Sequence, residues 1–267
     1  MRMQTENLIE HIRVEDLTMA YGDYVLQSNL SFTINKGDIF IIMGGSGCGK
    51  STLLKYMIGL REPEIGNIYY NGVDFYKSDP DVQESIMKSF GILYQSSALW
   101  SSMTLAENIA LPLEEYTQLT KREINEIAAL KLSLVGLKGF GEYYPSEISG
   151  GMKKRAGLAR AMALDPQILF FDEPSAGLDP ISSRLLDELI LQIRDSLGTT
   201  IVVVTHELSS IFTIGTNSVF LDAASKTMIA HGDPKKMLKE STNLTVRSFL
   251  TRAESMSISE VMCENIQ

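Results

Sequence analysis

The stretch Gly44-Gly45-Ser46-Gly47-Cys48-Gly49-Lys50-Ser51 constrains what this chain can fold into more tightly than any other. It follows Asp38-Ile39-Phe40-Ile41-Ile42-Met43, a short apolar run rich in β-branched residues, which reads as a buried strand. It precedes Thr52-Leu53-Leu54-Lys55-Tyr56-Met57-Ile58, which reads as a helix. The spacing G-x-x-x-x-G-K-S between a strand and a helix is that of a phosphate-binding loop. Glycines let backbone N–H groups turn inward toward an anion. The helix start adds its free N–H groups and positive dipole end. Lys50 brings a full charge for terminal phosphates, and the Ser51 hydroxyl is suited to Mg²⁺. A glycine turn that binds nothing requires neither the Lys-Ser pair nor the strand and helix around it.

The remaining composition narrows the setting. With 267 residues, 44% of them hydrophobic, the chain can bury one large core, with or without a subdomain. No apolar run reaches the roughly 18 residues of a membrane span, and Met1 to Asn7 is polar and lacks an apolar signal core. Cys48 and Cys263 are far apart, and one lies in the phosphate loop, so a reducing compartment without a structural disulfide is expected. A net charge of −9 argues against a nucleic-acid binder, which needs a basic face.

Along the chain, Ile12–Leu17 alternates and reads as an edge strand, and Val25–Ile34 as another. Gly66–Gly72 reads as a strand ending in an Asn-Gly turn, and Phe90–Tyr94 as a short strand. From Thr104 to Leu137 the spacing becomes helical, with Pro112 expected to start a new segment; Glu123–Leu130 carries apolar residues at i, i+3 and i+4. Gln167–Phe171 and Thr200–Val204 are near-continuous apolar runs, as in parallel strands covered on both faces, with a helix over Ile181–Leu197 between them. From about Ser241 the chain turns polar apart from Val246, Phe249 and Leu250.

Asp172-Glu173 closes the apolar strand Ile168–Phe171. Carboxylates at the C-terminal end of a parallel strand face the crevice where ligands bind. Asp172 is placed to hold Mg²⁺ through water, and Glu173 to orient or deprotonate an attacking water. Ser149-Gly150-Gly151 followed by Met152-Lys153-Lys154-Arg155 makes a second helix start able to receive an anion. The three cations themselves read as a solvated helix face.

Taken together, these elements resemble the nucleotide-binding subunits of ATP-binding cassette (ABC) transporters. The resemblance rests on the phosphate loop, Gln95, Ile148-Ser149-Gly150-Gly151-Met152, Asp172-Glu173, Ser175-Ala176-Gly177-Leu178-Asp179 and His206, in that order over about residues 12–240. It implies an α/β fold: a P-loop nucleoside-triphosphatase core of RecA type with an antiparallel β edge subdomain and an inserted α-helical subdomain. The ATPase domain would span residues 12–245, the helical insertion about 96–155, and a C-terminal tail 246–267. The resemblance implies that Tyr21 stacks on adenine and that Gly44, Gly45, Ser46, Gly47, Cys48, Gly49, Lys50, Ser51 and Thr52 hold the phosphates of ATP. Ser51, Gln95 and Asp172 would hold Mg²⁺, and Glu173, His206 and Gln95 would serve hydrolysis. Ser149, Gly150, Gly151 and Asp179 would act on ATP bound to a second copy, so that two chains share two ATPs head to tail. Two departures stand out: the signature ends in Met152 where glutamine is usual, and Gly45 stands where proline is frequent.

Within the family, four stretches look like the ATPases of mammalian-cell-entry (MCE) phospholipid transport systems of diderm bacteria. They are Tyr94–Leu113, Ser149–Arg155, Thr205–Ile211 and Val246–Leu250, and Met152 is expected in that subgroup. The subgroup implies a peripheral subunit on the cytoplasmic face of the inner membrane. It implies integral-membrane permease subunits, a lipid-binding protein with an MCE domain, and no nucleic acid as partner. A transporter of amino acids, metals or lipoproteins shares every motif except those stretches. A soluble cassette of translation or chromosome handling fits less well, since the chain has neither a second cassette nor a long coiled-coil insertion. Tails of this kind either reach the partner ATPase or pack on their own chain, through Phe249 and Leu250.

Overall fold

A computed structural model describes residues 9–251, so Cys263 and the polar end of the chain lie outside the described residues. The chain opens with β1 (Glu10–Tyr21) and β2 (Tyr24–Asn35), a hairpin that buries Ile12, Val14 and Leu17 with Leu30, Phe32 and Ile34. β3 (Ile39–Gly44) and α1 (Lys50–Met57) follow, then β4 (Ile65–Tyr70) and β5 (Val73–Asp74), joined through Asn71-Gly72. β1 is not an edge strand: the antiparallel sheet has the order β2-β1-β4-β5, which puts β1 inside. Its alternating pattern records one buried face, and interior and edge strands of a sheet covered on one side share that pattern. Nor does β1 stop short of Tyr21, which is its last residue.

Next come α2 (Pro80–Lys88), β6 (Phe90–Leu93), α3 (Leu105–Tyr116), α4 (Lys121–Leu134), a 3-10 turn at Pro145–Glu147 and α5 (Gly150–Ala161). α3 and α4 both begin in capping boxes, Thr104 with Glu107 and Thr120 with Glu123. Pro112 does not start a segment; α3 runs through it to Tyr116. An interior proline costs a helix about 3 kcal/mol. Burying Leu105, Ile109 and Leu113 returns about 1.5–3 kcal/mol for each side chain, so the helix survives.

The chain ends with β7 (Ile168–Asp172), α6 (Pro180–Leu197), β8 (Thr200–Val204), α7 (Leu208–Ile214), β9 (Asn217–Asp222), β10 (Thr227–His231), α8 (Pro234–Glu240) and α9 (Leu244–Leu250). The second sheet has the order β10-β9-β3-β8-β7-β6, parallel except for β10. Every residue of β3 and β8 is buried. Ile39, Ile41 and Met43 face a core shared with α3 to α6 and α9, while Phe40 and Ile42 face a second core under α1 and the antiparallel sheet. The C-terminal ends of β3, β6, β7 and β8 therefore emerge along one edge. Val246 and Leu250 are fully buried and the Phe249 ring meets Phe220 at 5.1 Å, so these three residues of α9 pack on their own chain, while Leu244 is exposed.

α6 carries a buried acid. Asp187 accepts a 2.8 Å hydrogen bond from the Ser210 hydroxyl on α7, and burial raises its carboxyl to about 6. In the unfolded chain it titrates near 3.9. Between those values the native state holds more protons, so this group's contribution to stability falls as pH rises from about 4 to about 6. Buried His11, lowered to about 4 chiefly by burial, acts in the opposite sense over nearly the same range. Asp187→Asn keeps an acceptor for Ser210. Its stability relative to the unaltered chain is expected to rise by about 1–3 kcal/mol from pH 4 to pH 6.5. Urea unfolding at the two pH values measures this, and a constant difference would contradict it.

Candidate functional site

The edge where β3, β6, β7 and β8 end gathers most of the residues singled out in the sequence. Gly44 ends β3 at φ 148°, and a Cβ there would lie 2.3 Å from the Leu221 carbonyl oxygen, so only glycine fits. A Cβ on Gly45 would meet nothing, and its φ is not positive. The position that often holds proline is thus free of any steric demand for glycine. Lys50 Nζ donates to the carbonyls of Gly44 and Gly45 at 3.1 and 3.0 Å, so its charge lies over the loop. Cys48 is buried in the loop, and burial raises its thiol above the ordinary range.

Asp172 ends β7, next to the loop: the Ser51 hydroxyl donates to Asp172 Oδ1 at 2.8 Å. Glu173 follows with φ 48°, a left-handed conformation that costs a non-glycine residue about 1–2 kcal/mol. Its N–H is held by the Val204 carbonyl at 2.9 Å. Oε1 accepts from His206 Nδ1 at 2.8 Å, which places the Nδ1 proton on the histidine side. Oε2 is buried and has no partner among the described residues. A buried carboxylate oxygen left unpaired beside a phosphate loop is available to a water or a substrate. Gln95 lies two residues beyond β6, exposed on the same edge.

Tyr21 is 48% exposed beside α1; its hydroxyl shares a 3.2 Å hydrogen bond with the Thr52 hydroxyl. Ser149 and Gly150 are exposed, and Ser149 caps α5 by accepting from the Met152 N–H at 3.3 Å. Asp179 caps α6, accepting from the Ile181 and Ser182 N–H groups at 3.0 Å; hydrogen bonds from Ser182 hold its carboxyl below the usual range. A Cβ on Gly151 would come within 3.2 Å of Ser182 Oγ, so the starts of α5 and α6 adjoin. Among the described residues no hydrogen bond or ion pair joins either helix start to Gly44–Thr52. The phosphate loop and the paired helix starts are therefore separate surfaces of one chain.

The oxygen donors Ser51 Oγ, Asp172 and Gln95 suit Mg²⁺. Among the described residues no cluster of three or more His, Cys, Asp or Glu could hold a metal alone. A cavity of about 310 Å³ beside His11, Lys36, Gln167 and Thr199 lies at the opposite ends of the strands, away from these groups.

A family model described as ABC transporter matches residues 27–176, more than half the chain. The chain belongs to the ABC transporter ATP-binding family. "Intermembrane phospholipid transport system ATP-binding protein MlaF" of Haemophilus influenzae is 40% identical over 245 residues, covering 92% of this chain and 90% of that protein. "Probable ribonucleotide transport ATP-binding protein mkl" of Mycobacterium tuberculosis is 41% identical over 239 residues, 90% of this chain. The chain spans only 66% of that relative's length. A dimeric ATP-binding cassette solved in a post-hydrolysis state with ADP and Pi is 26% identical, with a TM-score of 0.73 over 83% of this chain and 98% of that one.

Three residues of the cassette escape sequence reasoning. Lys154 is not on a solvated face: it is 5% exposed, and its Nζ donates to the Gln95 carbonyl at 2.5 Å and to the Glu173 carbonyl at 3.4 Å. Burial lowers its ammonium below the ordinary lysine range, against the pull of Asp172 and Glu173. Gln27, buried in β2, donates to the carbonyls of Cys48 and Asp222 at 2.8 and 2.9 Å and ties the loop to β9. The Arg61 guanidinium lies 4.0 Å above the Tyr21 ring, held by the Ala20 carbonyl at 3.2 Å. A cation within or just after a helix, or a glutamine inside a strand, is the only sequence signal for these, and many solvated residues share it.

Proposed function

We propose that this chain is the ATP-hydrolysing subunit of an ABC transporter that moves phospholipid between the two membranes of a diderm bacterium. The observation that carries the reading is the 40% identity to MlaF across nine-tenths of both chains, together with the carboxylate, histidine and phosphate loop on one sheet edge. The mycobacterial relative is named for ribonucleotide transport, but this chain spans only 66% of that protein's length.

In this reading Tyr21, oriented by Arg61, offers a face to adenine. Lys50 turns from the Gly44 and Gly45 carbonyls to the terminal phosphates, which the loop N–H groups and the α1 start also receive. Ser51, Gln95 and Asp172 would hold Mg²⁺, which would supply positive charge to offset that of the phosphates. Glu173 Oε2 orients the attacking water and accepts its proton, and His206 fixes Glu173 through Oε1 while facing the γ-phosphate. Ser149, Gly150, Gly151 and Asp179 of a second copy close the site, in line with the dimeric ADP-bound neighbour.

A groove of about 730 Å³ between α2, β6 and α3, lined by Met87, Ile92, Tyr94, Pro112 and Tyr116, offers a seat for a permease segment beside Gln95. Among the described residues no helix is long and apolar enough to cross a membrane. In this reading the subunit works at the inner face of the inner membrane, with a permease and an MCE-domain lipid carrier.

The full chain, purified from native membranes with its bound subunits, is expected to bring a permease and an MCE-domain protein. Reconstituted with them, it should drive ATP-dependent transfer of labelled phospholipid. Transfer of a labelled ribonucleotide instead, or co-purification without a membrane subunit, would overturn the lipid reading.

A further inference from the structure

α5 begins at the Ser149–Gly151 element, and the segment after β6 carries Gln95. Ser97 and Ala98, which follow Gln95, have φ values of 63° and 48°. Two consecutive non-glycine residues in the left-handed region persist only where their surroundings hold them. Here α5 does the holding. Lys154 Nζ takes the Gln95 carbonyl at 2.5 Å, and Arg160 takes the Ala98 carbonyl at 2.6 Å and that of Ser97 at 3.4 Å. Gly157, between them on the same helix, lets the loop approach: a Cβ there would lie 3.0 Å from the Ser97 carbonyl oxygen. Lys154 also reaches the carbonyl of Glu173, whose backbone is left-handed too.

From this geometry we infer that Lys154 is a positioning residue that binds the signature helix, the Gln95 loop and the Glu173 turn into one mechanical unit. A single buried ammonium donates to the Gln95 carbonyl, which lies outside any helix or strand ladder, and to the Glu173 carbonyl, which also accepts from the Ala176 N–H at 3.1 Å in its turn. Both belong to residues whose side chains are assigned to hydrolysis. Any rotation of α5 carries the two carbonyls with it, so the Gln95 amide and the Glu173 carboxylate shift together with Ser149. The amine itself touches backbone only, so its effect falls on the placement of catalytic groups rather than on nucleotide contact. The inference rests on the roles proposed above for Gln95 and Glu173.

The test compares Lys154→Met, Lys154→Arg and Glu173→Gln in the full chain with its co-purifying membrane subunits. Methionine matches the length and lacks the donor; arginine restores one. Steady-state kcat and KM for ATP, and equilibrium binding of a fluorescent ATP analogue, are the readouts. Lys154→Met is expected to lower kcat by about 10–10²-fold, the effect of a displacement of about 1 Å in a catalytic group, with nucleotide affinity within about twofold. Lys154→Arg is expected to recover most of kcat. Unchanged kcat in Lys154→Met, or affinity falling in step with kcat and no recovery by arginine, would overturn the positioning role. Should Lys154→Met fail to fold, Lys154→Leu, which also lacks a donor, is read by the same criteria. If Glu173→Gln lowers kcat while Lys154→Met does not, the positioning role alone fails. If Glu173→Gln has no effect, the underlying assignment fails.

Discussion

Replacing Glu173 by Gln is expected to slow ATP hydrolysis by about 10²–10⁴-fold, the range for loss of a general base, with ATP affinity preserved. The substitution keeps shape and volume. An amide oxygen can still accept from His206 Nδ1, so the 2.8 Å contact and the left-handed turn have no reason to break. What disappears is the second carboxylate oxygen, which lies buried without a partner among the described residues. In its place stands an amide that cannot take up a proton at neutral pH. None of the contacts of Lys50 or Ser51 involves Glu173, and this is why binding should survive. Phosphate release under saturating ATP, paired with equilibrium titration of a fluorescent analogue, reads both quantities. Turnover equal to that of the unaltered chain would remove Glu173 from the mechanism.

Ser149→Arg is expected to abolish ATP-dependent pairing and lower turnover by about 10²-fold or more, the cost of losing a fixed transition-state donor. Ser149 and Gly150 are exposed at the start of α5, where backbone N–H groups have no helical partner. Arginine there places bulk and charge on the surface proposed to meet another copy's triphosphate at close range. Its loss as a cap costs about 1 kcal/mol, too little to unfold a domain with two buried cores. Each chain should therefore still bind ATP through its own phosphate loop. Light scattering with ATP, beside the ATPase assay, makes the comparison; normal pairing would mean that α5 does not complete the site.

How much of this was legible in the sequence depends on range. The phosphate loop, Asp172-Glu173 and His206 could be read because each is short and follows an apolar strand, so local spacing fixes both residue type and placement. The helical insertion was legible through the i, i+3, i+4 apolar spacing of Glu123–Leu130, a period that belongs to a helix. Pro112 misled because propensity is local and the burial that overrides it is not. Lys154 was invisible for a related reason. Its burial depends on α5 crossing the Gln95 loop some sixty residues away in sequence, and a Lys-Lys-Arg run on a helix ordinarily faces water. The interior position of β1 and the Arg61–Tyr21 stack are also products of long-range pairing. Between Thr205 and Ser241, β9, β10 and α8 are short and weakly patterned; β9 takes its register from β3 and β10 its register from β9.

The central claim is that one chain holds half of each of two ATP sites, and the mass of the Glu173→Gln chain in solution tests it most directly. With ATP and Mg²⁺, light scattering is expected to give twice the single-chain mass of 29.6 kDa; with ADP, it should give one chain. A single-chain mass under saturating ATP would contradict a site shared between two copies.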